Sequence, residues 1–242
     1  MSNDSRPAPD NAAIAERCRD LAVMAAHLSH DFRNVLSGTL GFAELALDCL
    51  PASNPANAHL HEILNNGRRS LVQIERLKLL ARRPPKSCRR VEVLEVLAPL
   101  VAALQLPEGV RLKREFPKNL PRVRLNRDSL TLALHEMLVN AVEACAEGGR
   151  VTITAGMEQL TAKECAGIYG AALPGRHVVL TIVDNGAGIS PAVRRKLLVE
   201  PLFTTKAHHN DLGLTLAFLI LHAFQAGFCL ASAKPNGTEA RV

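Results

Sequence analysis

Leu28-Ser29-His30-Asp31-Phe32-Arg33-Asn34, continued by Val35 to Leu47, is the stretch on which the reading of the chain turns. Leu28, Phe32, Val35, Leu36, Leu40 and Leu45 recur at three- and four-residue steps, the repeat of one face of an α-helix. On that helix His30 and Asn34 stand four apart on one face, with Asp31 beside them. A neutral imidazole next to a carboxylate is a nucleophile with a positioned proton acceptor. That pairing suits accepting a phosphoryl group on a ring nitrogen. Taken alone the segment decides nothing, because a histidine on a polar helix face is most often just solvated. Its surroundings decide.

Working outward, the helix is expected from about Ala12 to Leu50, with Leu21 and Met24 ahead of the histidine segment. Met1 to Asn11, polar and carrying Pro7 and Pro9, reads as a loose tail. Pro51-Ala52-Ser53-Asn54-Pro55 is turn chemistry that ends the helix. A second helix is expected from about Ala58 to Arg82, with Leu60, Ile63, Leu64, Gly67, Leu71, Ile74 and Leu77 as a near-heptad apolar stripe. Two long helices with a short loop make an antiparallel hairpin over 12–83. One hairpin cannot bury both apolar faces. Pairing two copies into a four-helix bundle can, so a homodimer is expected; the competing arrangement packs the hairpin on the rest of its own chain.

Arg82-Arg83-Pro84-Pro85-Lys86-Ser87 has no apolar periodicity and reads as a hinge, with a linker at 84–90 and a second domain over 91–242. There, Val91 to Leu104, Asp128 to Glu147, Pro191 to Val199 and Leu212 to Ala226 read as helices. The third-from-last of these, Asp128 to Glu147, is capped near Asn126 or Asp128 and stopped by Gly148-Gly149. Val110 to Phe116, Val151 to Ala155, His177 to Val183, Phe228 to Ala233 and Thr238 to Val242 read as strands. Strands and helices mix without strict βαβ alternation. The expected fold class is therefore α+β: a helical hairpin followed by an α/β sandwich with helices on one face.

The chain's 242 residues and 48% apolar content suit one large domain or two small ones, each with a real core. With no Trp and one Tyr it lacks stacking platforms for single-stranded nucleic acid. The net charge of +6 tolerates an acidic partner but is scattered rather than striped. Cysteines at 18, 49, 88, 145, 165 and 229 have neither metal-ligand nor redox spacing and read as reduced cytosolic thiols. No run approaches the roughly 20 apolar residues of a membrane span, so no insertion is expected.

Three further stretches carry chemistry. In Leu134-His135-Glu136-Met137-Leu138-Val139-Asn140-Ala141, Glu136 and Asn140 share one helix side while Leu134, Met137, Leu138 and Ala141 face the core. An amide oxygen at Asn140 can ligate Mg²⁺, and a carboxylate at Glu136 can orient a water or hydroxyl near a γ-phosphate. The plainer alternative is an exposed Glu and Asn. Asp184-Asn185-Gly186-Ala187-Gly188-Ile189 ends a β-branched strand. Asp184 can accept from an exocyclic amine, and Gly186 and Gly188 let the backbone come close to a ring; a plain turn has the same composition. Pro201 to Lys206, followed by Leu212-Gly213-Leu214, supplies a loop, a Lys and a glycine at a helix start where free N–H groups favour phosphate; a connecting loop with Lys206 solvated is the plainer alternative.

In order and spacing together, these stretches resemble the histidine kinase family, whose nucleotide-binding domain is shared with gyrase, mismatch-repair and heat-shock chaperone ATPases. "LSHDFRNVLSGTLGFAELAL" (28–47) is similar to the phosphoacceptor box of kinases carrying "HDFNN". Glu136 to Ala144 resembles the N box, Asp184 to Ile189 the G1 box, Glu200 to Lys206 the F box and Leu212-Gly213-Leu214 the tail of the G2 box. Leu173-Pro174-Gly175 resembles an insert of that subfamily. The resemblance implies that His30 is phosphorylated with Asp31 as acidic helper, and that Asn34 positions water for dephosphorylating a partner. It implies Asn140 as Mg²⁺ ligand, Asp184 as adenine contact, and Gly186, Gly188, Thr205, Lys206 and Gly213 as nucleotide contacts. Glu136 stands where the related ATPases keep a catalytic Glu. ATP and Mg²⁺ are the implied cofactors, and the implied partners are a response-regulator receiver domain and a separate sensor.

The chain departs from the pattern where His209-Asn210-Asp211 replaces the Gly-Thr-Gly that opens the G2 box. Side chains there crowd a tight turn, and Asp211 opposes phosphate. The last strand is short, and no sensor segment or receiver domain is recognisable. Those departures keep two rivals in view: a histidine phosphotransferase relaying phosphate between receivers without ATP, and an ATPase clamp or partner-binding module of the same fold. The expectation is a cytosolic, dimeric kinase-like protein that autophosphorylates His30.

Overall fold

The computed structural model describes residues 10–81, 88–145, 148–196, 212–233 and 235–242. It divides into two compact units, one of residues 17–83 and one joining Asn11–Glu16 to the chain beyond the hairpin. Residues 1–9 of the expected tail 1–11, the hinge at 82–87, the F box and the His209-Asn210-Asp211 segment lie outside the described residues, while Asn11 belongs to the first helix and not to a tail.

The hairpin consists of α1 (Asn11–Cys49) and α2 (Ala56–Ala81). Asparagines lock its turn: the Asn54 side chain accepts from Ala56 N at 2.9 Å, and Asn57 Nδ2 donates to the Pro51 carbonyl at 2.9 Å. Leu40, Ala43 and Leu64 form the buried seam, with Leu47, Leu60 and Leu71 packed on it. Gly67 is required there: a Cβ would come within 2.4 Å of Leu40 Cδ2. Arg68 reaches Glu44 at 3.1 Å, and Arg33 pairs with Glu75, tying α2 to α1 on the flanks. The apolar stripe that reads as one face of α1 is two faces. Leu40 turns into the hairpin, whereas Leu28, Phe32, Val35, Phe42 and Leu45 stay exposed.

The second unit runs β1 (Arg89–Val91), α3 (Val93–Ala103), β2 (Val110–Glu115), β3 (Val123–Leu125), α4 (Arg127–Ala144) and β4 (Gly149–Leu160). It continues with α5 (Ala162–Ala166), β5 (Tyr169–Gly170), β6 (Gly175–Asp184), α6 (Pro191–Lys196), α7 (Leu212–Ala223), β7 (Gly227–Ser232) and β8 (Thr238–Arg241). Six strands form one sheet in the order β2-β4-β6-β8-β7-β5, parallel at β2–β4 and antiparallel elsewhere; β1 and β3 form a separate antiparallel ribbon. Val151, Ile153, Leu180, Ile182, Phe228 and Leu230 point inward at alternate positions, the pattern of a sheet covered on one face. α4 lies against α3, α7 and β6, and α7 against β5 and β7.

α4 is the central helix. Asn126 caps it, its side chain accepting from Ser129 N at 3.0 Å. Leu130, Ala133, Leu134, Met137, Leu138 and Ala141 are buried along it. Each buried Leu stabilises the fold by roughly 1.5–3 kcal/mol. Pro99 inside α3 cannot donate to the Glu95 carbonyl; the Arg127 guanidinium takes that acceptor at 3.1 Å and so joins α3 to α4.

The elements differ from the reading in several places, among them the short α5 and β5, which it did not anticipate. β1 occupies Arg89–Val91, so the strand begins inside the stretch expected to be linker and the first helix starts at Val93. At three residues each, β1 and β3 are too short to be read as strands from their own sequence; each is paired with the other. β4 runs to Leu160 rather than Ala155 because β6 pairs with it from Asp184 back to Gly175. Among the described residues no helix is long and apolar enough to cross a membrane.

Candidate functional site

In the hairpin unit, α1 presents His30, Asp31 and Asn34 together on its surface. The His30 and Asp31 side chains are 71% and 80% exposed, so the imidazole is open to a reactant rather than packed in a core. His30 Nδ1 lies 3.3 Å from Asp31 Oδ1 and 3.4 Å from Asn34 Nδ2. One ring nitrogen thus faces an acceptor and a donor. With a proton on Nδ1 it donates to Asp31 and leaves Nε2 as the free nucleophile; without one it accepts from Asn34.

In the second unit, α4 gathers the remaining described residues of the reading around its C-terminal half. Glu136 is 5% exposed, so it is not the solvated residue of the plainer alternative. A Cβ on Gly213, at the start of α7, would meet Glu136 Oε2 at 2.6 Å, so the glycine is what allows the carboxylate and α7 to sit together. Asn140, half-buried, follows one turn later on α4.

Asp184 ends β6 and is 4% exposed. Its Oδ1 accepts from Gly186 N at 3.0 Å and from Thr238 N at 3.1 Å, so β8 and the turn both hold it. Burial pushes its carboxyl above the ordinary aspartate value, against the lowering effect of those hydrogen bonds. The glycines of the turn have a reason the reading did not supply. A Cβ on Gly186 would lie 2.1 Å from the Ala144 carbonyl oxygen, and Gly188, at φ +72°, packs on Gly237. Their close approach is to the protein's own backbone. Asn185 braces the turn from beneath, its Oδ1 accepting from Arg150 N at 2.6 Å beside Cys145. Burial raises the Cys145 thiol, which marks it as packing rather than as a nucleophile.

The reading missed Thr238 as a partner of Asp184, although the Gly237-Thr238 pair opening the last strand was visible. Thr205 and Lys206 lie outside the described residues. Among the described residues no cluster of His, Cys, Asp and Glu has the makings of a metal centre. A magnesium ion needs only one or two protein oxygens, and Asn140 beside buried Glu136 provides an oxygen donor set of that kind.

Comparison with known proteins bears on both units. Residues 125–242 match the family model described as histidine kinase-, DNA gyrase B- and HSP90-like ATPase. Residues 20–85 match the His Kinase A (phospho-acceptor) domain. An ATPase-type fold behind a phosphoacceptor helix defines the class. The chain belongs to the two-component sensor histidine kinase family.

It is 26% identical over 221 residues to sensor kinase CckA of Brucella abortus (strain 2308), covering 90% of this chain and 23% of that protein. It is 28% identical over 212 residues to the sensory histidine kinase/phosphatase NtrB of Azospirillum brasilense, covering 84% and 50%. The chain thus spans between about a quarter and a half of these relatives' lengths. In fold it is similar to full-length ShkA, solved in complex with AMPPNP (TM-score 0.62, 22% identity, 90% of this chain and 44% of that one). It is likewise similar to ThkA, solved in complex with the response regulator TrrA (TM-score 0.58, 18% identity, 94% and 62%).

Proposed function

We propose that this protein autophosphorylates His30 from ATP and passes the phosphoryl group to an aspartate of a response-regulator receiver domain. The observation that carries the reading is the gathering of buried Asp184, its Gly186–Thr238 hydrogen bonds, Glu136 and Gly213 around one helix, on a chain whose other unit exposes His30 beside Asp31. Asp184, acceptor-rich and shielded from water, is suited to the exocyclic amine of adenine. Asn140, with Glu136 beside it, is the residue that would hold Mg²⁺, which when bound draws charge off the phosphates. Asp31 holds the Nδ1 proton of His30, so that the Nε2 lone pair attacks the γ-phosphorus. The Nε2–P bond forms as the bond to the β,γ-bridging oxygen breaks, and ADP leaves. Positioning supplies most of the rate.

The reading extends to a homodimer through the exposed apolar face of α1, to a receiver domain as partner, and to the cytoplasm as the place of action. ShkA's complex with AMPPNP and ThkA's with TrrA agree with it for those proteins.

Incubation with γ-labelled ATP is the test. Acid-labile, base-stable label that disappears in His30→Ala is expected. Absence of label, together with label accepted from a phosphorylated receiver, would replace the kinase by a phosphotransferase. Hydrolysis that survives His30→Ala and fails in Glu136→Ala would replace it by an ATPase clamp.

A further inference from the structure

The second unit has a cleft of about 530 Å³ at the opposite end of the fold from Asp184. Val178 and Leu180 of β6, Leu221 of α7 and Leu130 of α4 line it. Val178 stands six residues before Asp184 on β6, roughly 20 Å away along an extended strand. Leu130 stands ten residues before Asn140 on α4, roughly 15 Å along the helix. Three elements therefore carry the nucleotide-side residues at one end and this cleft at the other.

The rim is basic. Arg122, just before β3, Arg124 of β3 and Arg176 of β6 border the cleft. The ribbon's register sets Arg90 directly across from Arg124, both exposed. Like charges facing each other across an antiparallel pair are destabilising. Arg122 has Glu92 at 3.9 Å, but Arg124 and Arg176 have no carboxylate partner among the described residues. At the same rim Gln225 has φ 55°, the one non-glycine residue with positive φ among those described. It closes α7, with Ala226 N donating to the Leu221 carbonyl at 2.8 Å, in a position that glycine fills at no steric cost. Repulsion in the ribbon and a left-handed glutamine are thus both maintained around one concavity.

We propose that this cleft binds a small organic anion: an apolar, flat body on the Val178–Leu221 floor, with a phosphate or carboxylate held by Arg124 and Arg176. The volume is that of a small-molecule site. Guanidinium groups match both anions in bidentate geometry and stack on flat rings. The proposal stands apart from the kinase reading, because none of the nucleotide-side residues lines the cleft.

Calorimetric titration of the full chain with 2-naphthyl phosphate, 2-naphthoate and inorganic phosphate tests it. One saturable site is expected for the naphthyl phosphate, the naphthoate or both, the stronger of them identifying the anion. It is weakened at least tenfold in Arg124→Gln and in Arg176→Gln, and methyl NMR shifts are expected at Val178, Leu180 and Leu221. Arg124→Gln also relieves the pairing with Arg90, so its melting temperature is expected to rise by ~1–3 °C while binding falls. That opposition separates loss of a ligand contact from misfolding. The proposal is overturned if neither naphthyl anion binds, if both arginine variants bind like the parent, if inorganic phosphate binds as tightly, or if the shifts fall elsewhere.

Discussion

Gly213 and Glu136 touch: a Cβ on the first would stand 2.6 Å from Oε2 of the second. That contact joins the start of α7 to the middle of α4, the helices on which the sequence reading set Gly213 and, with Glu136, Asn140. Gly213→Ala is a favourable change for an isolated helix, by up to about 1 kcal/mol. In this protein it drives the Glu136 carboxylate aside. We expect a melting temperature within a few degrees of the parent, and initial labelling of His30 by γ-labelled ATP reduced at least about tenfold, equivalent to roughly 1.4 kcal/mol. Unchanged labelling would mean that Glu136's position does not matter to the reaction.

Asp184 gives a pH-dependent prediction. Burial raises its carboxyl above the ordinary value, so the folded chain binds that proton more readily than the unfolded chain. Stability then falls as pH rises from the ordinary aspartate value through the raised one, and stays lower above it. Asp184→Asn keeps an Oδ1 that accepts from Gly186 and Thr238 but carries no charge. It is expected to melt at or above the parent's temperature at pH 7, with the gain shrinking as the pH is lowered toward 4. ATP affinity is expected to fall by about tenfold or more, through loss of a charge-assisted hydrogen bond. Melting curves across pH and a nucleotide titration check the two halves separately. A variant less stable than the parent at neutral pH would refute the burial argument.

Much of this was legible because periodicity reports burial. The core positions of α4, from Leu134 to Ala141, follow from spacing alone, whereas spacing on α1 does not separate buried Leu40 from exposed Phe32 and Val35. What spacing cannot report is a partner far along the chain. β1 and β3 are arginine-rich and only three residues long, and each becomes a strand by pairing with the other. Glu136 looks like a surface residue until α7 covers it. Gly186 looks like a glycine kept for a ligand until the Ala144 carbonyl is found in its Cβ position. Asn11, at the start of α1, bonds to Ile168 and Gly170 of the second unit, so the helix expected to belong wholly to the hairpin has its first turns elsewhere. Local sequence carries no trace of such a contact.

The imidazole of His30 cannot satisfy both neighbours at Nδ1. Donation to Asp31 leaves Nε2 nucleophilic; acceptance from Asn34 puts the proton on Nε2 instead. Asp31→Asn removes the charge that favours the first tautomer and is expected to slow His30 labelling by at least about tenfold. Asn34→Ala removes the competitor and is expected to leave the labelling rate within about threefold. Nitrogen-15 spectra of the ring should show the Nδ1–H form diminished in the first variant and undiminished in the second. Equal damage from both variants would mean that the pair acts by packing rather than through the proton.

The outer face of α1 makes the last prediction. Phe32, Val35, Phe42 and Leu45 are between 54% and 75% exposed in the single chain. Large apolar side chains at that exposure along one helix form a patch of the kind that marks an interface. Covering it with a second copy would bury the same residues on both chains, as a two-fold interface must. Sedimentation equilibrium is expected to give a dimer for the parent chain, and a shift toward monomer for Phe42→Glu and Val35→Glu. Neither residue contributes to the buried seam of Leu40, Ala43 and Leu64, so helix content is expected to hold. Nucleotide affinity, a property of the second unit, is expected to be unchanged within about twofold. A monomeric parent, or a dimer indifferent to both glutamates, would move the interface to another face.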